Sequence, residues 1–310
     1  MSLRIGKIEL SSPYILAPMA GYSDCAMRKM ASMYGAGLTV TEMVSAKGLL
    51  YSGEKSAELL KTTPEEKIKC AQIFGSDPND FYRVLTETNY LDGFDIIDIN
   101  MGCPVPKIVK NGEGSALLKD IERAEDIVKA CVSGANGRPV TVKTRIGFFE
   151  GEDIADEFCK KMENAGASAI TLHARTRAQG YGGEADWRVI ERVKKNLSIT
   201  LIGSGDCNET NANERLALCD GVMLGRGAVG NTSIFARLIG KEVKESKREQ
   251  LLKHLEYMLD FYGERYALVN IRKFVGGYFS GERGVREIKQ AIFSAKTTDE
   301  IKRIIKEKNS

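Results

Sequence analysis

Phe94-Asp95-Ile96-Ile97-Asp98-Ile99-Asn100-Met101-Gly102-Cys103-Pro104 is a short apolar run that stops in a polar turn. A run of this length, bounded by turn residues, reads as a buried strand. The Gly-Cys-Pro turn then sets a thiol just past the strand's carboxyl end, on the loop side, where chemistry tends to sit. A cysteine serving only as a small hydrophobe usually lies mid-element among apolar neighbours. Cys103 does not, and it is read as a reactive group. The next stretch, Lys107 to Ser115, is basic and carries glycine.

Seven more runs of this kind flank it: Tyr14–Ala17, Leu38–Thr41, Ile68–Phe74, Val140–Lys143, Ala169–His173, Ile199–Ile202 and Gly221–Leu224. With Asp95–Ile99 they make eight. They are rich in Val, Ile and Leu with little polar alternation, as expected of parallel strands covered on both faces. Helical segments at Asp24–Tyr34, Asp77–Asn89, Asp120–Ser133, Asp153–Asn164, Asp186–Lys195 and Asn208–Leu218 fall between them. Each opens at or near a capping residue. Eight strand–helix units in roughly 240 residues have the size and rhythm of a (β/α)8 TIM barrel. A doubly wound sheet is the alternative, but it would more often place a Gly-rich dinucleotide loop after the first strand. Here that strand ends in Ala17-Pro18-Met19-Ala20-Gly21. Ile5–Leu10 with Tyr14–Leu16 is expected to form a hairpin on the barrel floor.

From about Gly240 only helical patterning remains. Leu251, Leu255, Met258 and Tyr262 share a face, and Thr297 with Glu300 suggests a capping box before Ile301. The charged linker Lys241–Arg248 marks a boundary, giving an expected catalytic barrel over 1–240 and a three- or four-helix domain over 241–310. Residues 241–310 hold 16 Lys/Arg against 11 Asp/Glu, whereas 1–240 hold 29 against 31. Such a basic tail is either a solvated helical surface or a patch for a polyanion.

Apolar content of 43% and charged content of 28% fit an ordinary globular chain. No stretch approaches the ~18 apolar residues of a membrane span, and the start lacks a signal-peptide apolar core. The cytoplasm is the expected compartment. Seven cysteines, the closest pair twelve apart, and two histidines leave no metal clamp. The odd cysteine count argues against a disulfide framework. No metal is expected, and a monomer is.

Barrel active sites lie at the carboxyl ends of the strands. In order, those ends deliver Pro18, Met19 and Ala20; Glu42 and Met43; Gln72; Asn100 and Cys103; Lys143 and Arg145; His173, Arg175 and Arg177; Ser204-Gly205-Asp206; and Gly225-Arg226-Gly227. Glycine loops after strands 7 and 8, each leading into a helix, match the usual barrel phosphate site. Lys143 fits a Schiff-base former, a general base or a fixed positive charge. His173 fits a site residue or a satisfied core residue. Gln72 fits a group that orients a heterocycle or one that ties down a loop.

Several of these stretches form a familiar series. They are Ala17-Pro18-Met19-Ala20-Gly21-Tyr22-Ser23-Asp24, Asp98 to Pro104, Val142-Lys143-Thr144-Arg145, His173 to Tyr181, Ala185-Asp186-Trp187 and Gly225-Arg226-Gly227. The chain resembles the tRNA-dihydrouridine synthases over nearly its whole length, and Asn100 to Leu118 looks most like the bacterial B subgroup. The resemblance implies FMN over the barrel mouth and NADPH, or NADH, as reductant. Pro18, Met19 and Ala20 would back the ring. Gln72 and Lys143 would bond its polar edge, with His173 in the same set. Ser204, Gly205, Asp206, Gly225 and Arg226 would take the phosphate. The chain has Ser204 where the family commonly has Asn, and Ala174 where Gly is common. Cys103 would donate the proton that completes uracil reduction. Asn100 and Arg145 would read uracil carbonyls, and Arg175 and Arg177 would hold nearby phosphate. The tail would contact tRNA, with Arg272, Lys273, Arg283 and Arg286 as candidates.

Two other readings stay open on the residues. A flavin barrel acting on a small pyrimidine would not need the basic tail. A non-catalytic RNA-binding barrel would purify without colour.

Overall fold

The computed structural model describes residues 3–282 and 284–307. It contains two sheets. β1 (Leu3–Ile5) and β2 (Ile8–Leu10) form a two-stranded antiparallel ribbon. β3 (Tyr14–Leu16), β4 (Leu38–Val40), β5 (Val44–Ser45), β6 (Lys69–Phe74), β7 (Ile96–Met101), β8 (Val140–Arg145), β9 (Ala169–His173), β10 (Thr200–Ser204) and β11 (Gly221–Leu224) form the other. The second sheet is parallel throughout, and pairing of β4 with β6 closes it into an eight-stranded barrel. β5 is a two-residue extension paired to β6 alone. The hairpin expected between Ile5–Leu10 and Tyr14–Leu16 is not formed. Gly6 (φ +55°) makes a tighter turn within the ribbon, and Tyr14–Leu16 is a barrel strand.

Two apolar clusters organise the body. One lies between the strands and the surrounding helices and includes Leu16, Ile97, Ile99, Val142, Ile170 and Leu224. The other fills the lower half of the barrel with Ile15, Val40, Cys70, Ile96, Ala169, Ile202 and Met223. Leu3, Ile5 and Leu10 of the ribbon belong to this inner cluster, so the ribbon plugs the barrel floor. Strand side chains alternate between the two clusters, as the period of two requires. The inward face changes character on the way up. Cys70 is followed by Gln72, Ile96 by Asp98 and Asn100, Ala169 by Thr171 and His173, and Ile202 by Ser204. The lumen is therefore greasy at the floor and polar at the mouth.

Most helices begin where their capping residues indicate. Asp24, Asp77, Asp120 and Asp186 each accept a backbone N–H at the start of their helix. Among the described residues the tail has five helical segments rather than three or four: Lys247–Tyr262, Glu264–Asn270, Arg272–Tyr278, Val285–Ser294 and Thr298–Lys306. Gly263 (φ +76°) breaks the chain after the first. The full capping box sits at Ser246 with Glu249. At Thr297 only half of one forms, because the Glu300 carboxylate accepts from Lys296 N instead. The tail shares the outer cluster of the barrel through Leu251, Leu255, Met258, Phe274, Ile301 and Ile305. Among the described residues no helix is long and apolar enough to cross a membrane.

Candidate active site at the barrel mouth

A cavity of about 730 Å³ opens at the carboxyl ends of the strands. That size suits a cofactor or substrate site. Pro18, Met19, Ala20, Gln72, Asn100, Cys103, Lys143, Arg145, His173, Arg226 and Lys273 all line it. A smaller cavity of about 100 Å³ adjoins it through Pro18, Met19, Lys143, His173 and Arg226, and continues to Ser204, Gly205, Asp206 and Gly225. Strand register explains the convergence. Asn100 is the neighbour of Lys143, Arg145 of His173, and His173 of Ser204. Adjacent strands thus bring their polar tips to one level.

Cys103 lies 9% exposed on the turn after β7. Asn100 builds that turn, its Oδ1 accepting from Gly102 N at 3.2 Å and Cys103 N at 2.9 Å. Burial pushes the thiol's pKa up, against smaller downward pulls from the Val105 N–H, Arg145 and Lys143. The thiol therefore keeps its proton at neutral pH. Burial, then the charge of Arg145, lowers the Lys143 ammonium to about 8, while Asp98 and Cys103 oppose the shift. Burial, aided by Lys143, Arg145, Arg175 and Arg226, holds His173 well below the ordinary imidazole value. It is a neutral ring at physiological pH, able to donate or accept but not to carry charge.

The arginines divide by role. Arg145 donates to Gly102 O at 2.9 Å and to Thr176 O and Gly180 O at 3.0 Å. Arg175, 1% exposed, makes a forked pair with Asp206 at 3.0 and 2.6 Å and also holds Gly182 O and Gly183 O. Both therefore strap the loop 176–183 across the mouth. The guanidinium of Arg175 is turned into the protein and lines neither cavity. Arg177 lies over the Phe148 ring at 5.0 Å, away from both cavities. Asp206 is held low, chiefly by hydrogen bonding from Arg175, and also accepts from Arg226 at 2.9 Å. Its carboxylate orients arginines, so any anion held here is met by backbone N–H groups and Arg226.

In the tail, Lys273 is exposed and reaches the mouth, donating to Gly21 O at 3.1 Å. Arg272 turns the other way and donates to Ala295 O at 2.8 Å, bracing two tail helices. Arg286 is exposed on Val285–Ser294 and lines neither cavity. Arg283 lies outside the described residues.

Three residues that sequence reading did not place at the site also shape it, among them Trp187, which was read as capping or packing the helix that follows His173. Tyr181, 60% exposed, lines both cavities beneath the Arg226 guanidinium at 4.7 Å. An aromatic among Gly180, Gly182 and Gly183 was the available signal. Trp187 donates Nε1 to Gly205 O at 2.9 Å and so pins the strand-7 loop. Asp98 lies beneath the cavity floor, inside the barrel.

A family model described as "Dihydrouridine synthase" matches residues 15–309. The chain belongs to the dihydrouridine synthase family. It is 37% identical over 306 residues to a probable tRNA-dihydrouridine synthase of Rickettsia conorii, covering 94% of this chain and 91% of that one. It is 34% identical over 294 residues to tRNA-dihydrouridine synthase B of Shewanella oneidensis, covering 90% of each. Among solved structures it resembles histamine dehydrogenase from Rhizobium sp. 4-9, with a TM-score of 0.60 and 14% identity over 82% of this chain and 50% of that one. It also resembles morphinone reductase, with a TM-score of 0.57 and 12% identity over 79% and 92%. At such identities these two likenesses speak for the barrel alone. The cavity that joins a thiol, an ammonium and two amides lies at the mouth of that barrel.

Proposed function

We propose that this protein reduces the C5=C6 bond of uridine in tRNA, using FMN held at the barrel mouth and NADPH or NADH as reductant. The donor set fits such a cofactor. Met19 and Pro18 offer an apolar wall, and Lys143 with the Gln72 amide offers cations and N–H groups to an electron-rich ring edge. Small residues leave room for a phosphate. A side chain at Gly205 (φ +119°) would come within 2.8 Å of Ala185 Cβ and 3.0 Å of His173 Cδ2. Ser204, Gly205, Asp206, Gly225 and Arg226 would hold the phosphate, and Pro18, Met19, Ala20, Gln72, Lys143 and His173 the ring.

Held by these residues, FMN would supply the hydride that C6 of the uracil takes up, with the nicotinamide as the source of its electrons. The chain's residues do the rest. As C6 accepts the hydride, negative charge grows over C5 and the adjoining carbonyl oxygen. The Cys103 thiol gives its proton to C5, and solvent later restores it. Lys143 stabilises the developing charge. Arg145 and Asn100 keep the Cys103 turn in place.

The target base must leave its stack to reach this cavity, which costs a few kcal/mol. Cations offset that cost, and Lys273 beside Tyr22 at the mouth joins the barrel rim to the basic tail. Residues 1–240 are read as the catalytic unit and 241–310 as the tRNA-binding one, acting as a monomer in the cytoplasm.

One observation carries this reading: a buried thiol that retains its proton lines the same cavity as Gln72, Lys143 and His173. The test is to map dihydrouridine in tRNA from a strain lacking the gene and from its parent. Loss of the modification at defined positions supports the reading. An unchanged map, or purified protein that takes up no FMN, overturns it.

A further inference from the structure

Asp98 is 4% exposed within the barrel, and nothing in the reaction described above uses it. Its two oxygens accept from Gln72 Nε2, at 2.6 Å, and from the Thr141 hydroxyl. Gln72 Oε1 in turn accepts from Asn100 Nδ2 at 2.8 Å. Asn100 Oδ1 accepts from the backbone N–H groups of Gly102 and Cys103. Six residues on three neighbouring strands and one turn thus form a continuous chain.

The chain can run in one sense only. Backbone N–H groups are donors, so Asn100 must show them its oxygen. Its amide nitrogen then faces Gln72, which must answer with oxygen. The Gln72 nitrogen is left facing residue 98, and residue 98 must accept. An ionised carboxylate is the acceptor best suited to that place. One N–H of Gln72 remains, and Gln72 lines the cavity. The polarity offered to a ligand therefore follows from the far end of the chain.

We infer that Asp98 is a positioning residue, anchoring a hydrogen-bond chain that locks the turn carrying Cys103 to the Gln72 amide facing the cofactor. The inference rests on the flavin reading of the cavity. It makes the proton donor and the cofactor floor one rigid unit. Lys143 is the cation facing Asp98, and Cys70 is the only other titratable group beside it among the described residues. Burial raises the Asp98 carboxyl to about 6, so it is ionised at neutral pH.

The test uses two readouts on the full chain: FMN affinity by flavin fluorescence quenching, and the rate at which iodoacetamide alkylates Cys103, followed by mass spectrometry without cofactor. Asp98→Leu removes the acceptor at similar volume. It should weaken FMN about tenfold, the loss of one well-made hydrogen bond to a charged group, and change the Cys103 rate at least about threefold. Asp98→Asn keeps an acceptor for Gln72, because the Thr141 hydroxyl can reverse, and should restore both readouts to within about twofold. An Asp98→Leu variant that shifts FMN affinity alone, or neither readout, overturns the inference. If that variant does not fold, Thr141→Val decides. It strips one partner from the carboxylate and should move both readouts part-way in the same direction, and unchanged readouts sink the idea. Failure of the wild type to bind FMN would instead defeat the cofactor reading, leaving the alkylation arm to judge the chain.

Discussion

Cys103 was legible in the sequence because its position breaks a habit: it follows a strand instead of filling one. Its environment was not legible. Burial raises the thiol's pKa, and the backbone N–H groups that hold its turn meet an asparagine three residues earlier. A proton donor should be dispensable for cofactor binding. Cys103→Ala is expected to keep the flavin absorption spectrum and lower uridine reduction by about 10²–10⁴-fold, the usual worth of general acid catalysis, measured as dihydrouridine formed per enzyme. Loss of flavin instead would show that the thiol belongs to the cofactor site. Lys143 gives a pH signature. Its ammonium titrates at about 8, chiefly through burial, so its charge is present below that pH and lost above it. Turnover on tRNA should fall as pH rises through about 8, before the thiol loses its own proton. Lys143→Arg keeps its charge at all these values, and its remaining activity should lack that limb. A Lys143→Arg profile identical to wild type would remove the ammonium from the rate equation.

At the scale of elements, the strand-7 and strand-8 loops were found from their glycines, but the anchoring of their neighbours was not. Arg175 looked like a phosphate ligand because it follows a strand end. The fold folds it back onto Asp206 and the carbonyls of Gly182 and Gly183. Arg175→Leu should cost about 3 kcal/mol, the low end for removing one partner of a buried pair, because Asp206 keeps 31% of its side chain in water. Thermal unfolding would measure this, and an unchanged Tm would deny the pair its structural part. Gly205→Ala should be worse for the cofactor than for the fold. Its φ of +119° is strained for any other residue, and the added methyl meets Ala185 and His173. FMN retention through gel filtration should drop sharply, and retention equal to wild type would move the phosphate elsewhere.

At the scale of the whole molecule, two glycines weld the tail to the barrel. An added Cβ at Gly277 would lie 2.0 Å from Val229 O, and one at Gly230 (φ +65°) would lie 2.3 Å from Phe274 O. No side chain fits between these backbones. Gly277→Ala should push the Arg272–Tyr278 helix off the mouth, raise KM for tRNA and leave the flavin spectrum in place. If KM stays put, the tail does not help to hold the RNA. Lys273→Ala is the gentler probe. It should weaken tRNA binding across sequences and reduce the slope of log affinity against log salt by about one. An unaltered slope would leave Lys273 as a tether for Gly21 alone.

Composition, the eight apolar runs and the residues at their ends determined the barrel, the thiol at its mouth and the place of the two glycine loops, because strand period and strand-end chemistry are local properties. The tertiary structure decided three things that local pattern does not carry. The runs looked evenly apolar, yet alternate positions such as Asp98, Asn100, Thr141 and Lys143 face a lumen that turns polar towards the mouth. Arginines near the strand ends were given different tasks by which carbonyls, carboxylate or ring came within reach. Asp98 acquired partners from two other strands. Each of these depends on barrel closure and register, which bring residues 72, 98, 100 and 141 together, and on burial, which sets the protonation of every group in that cluster.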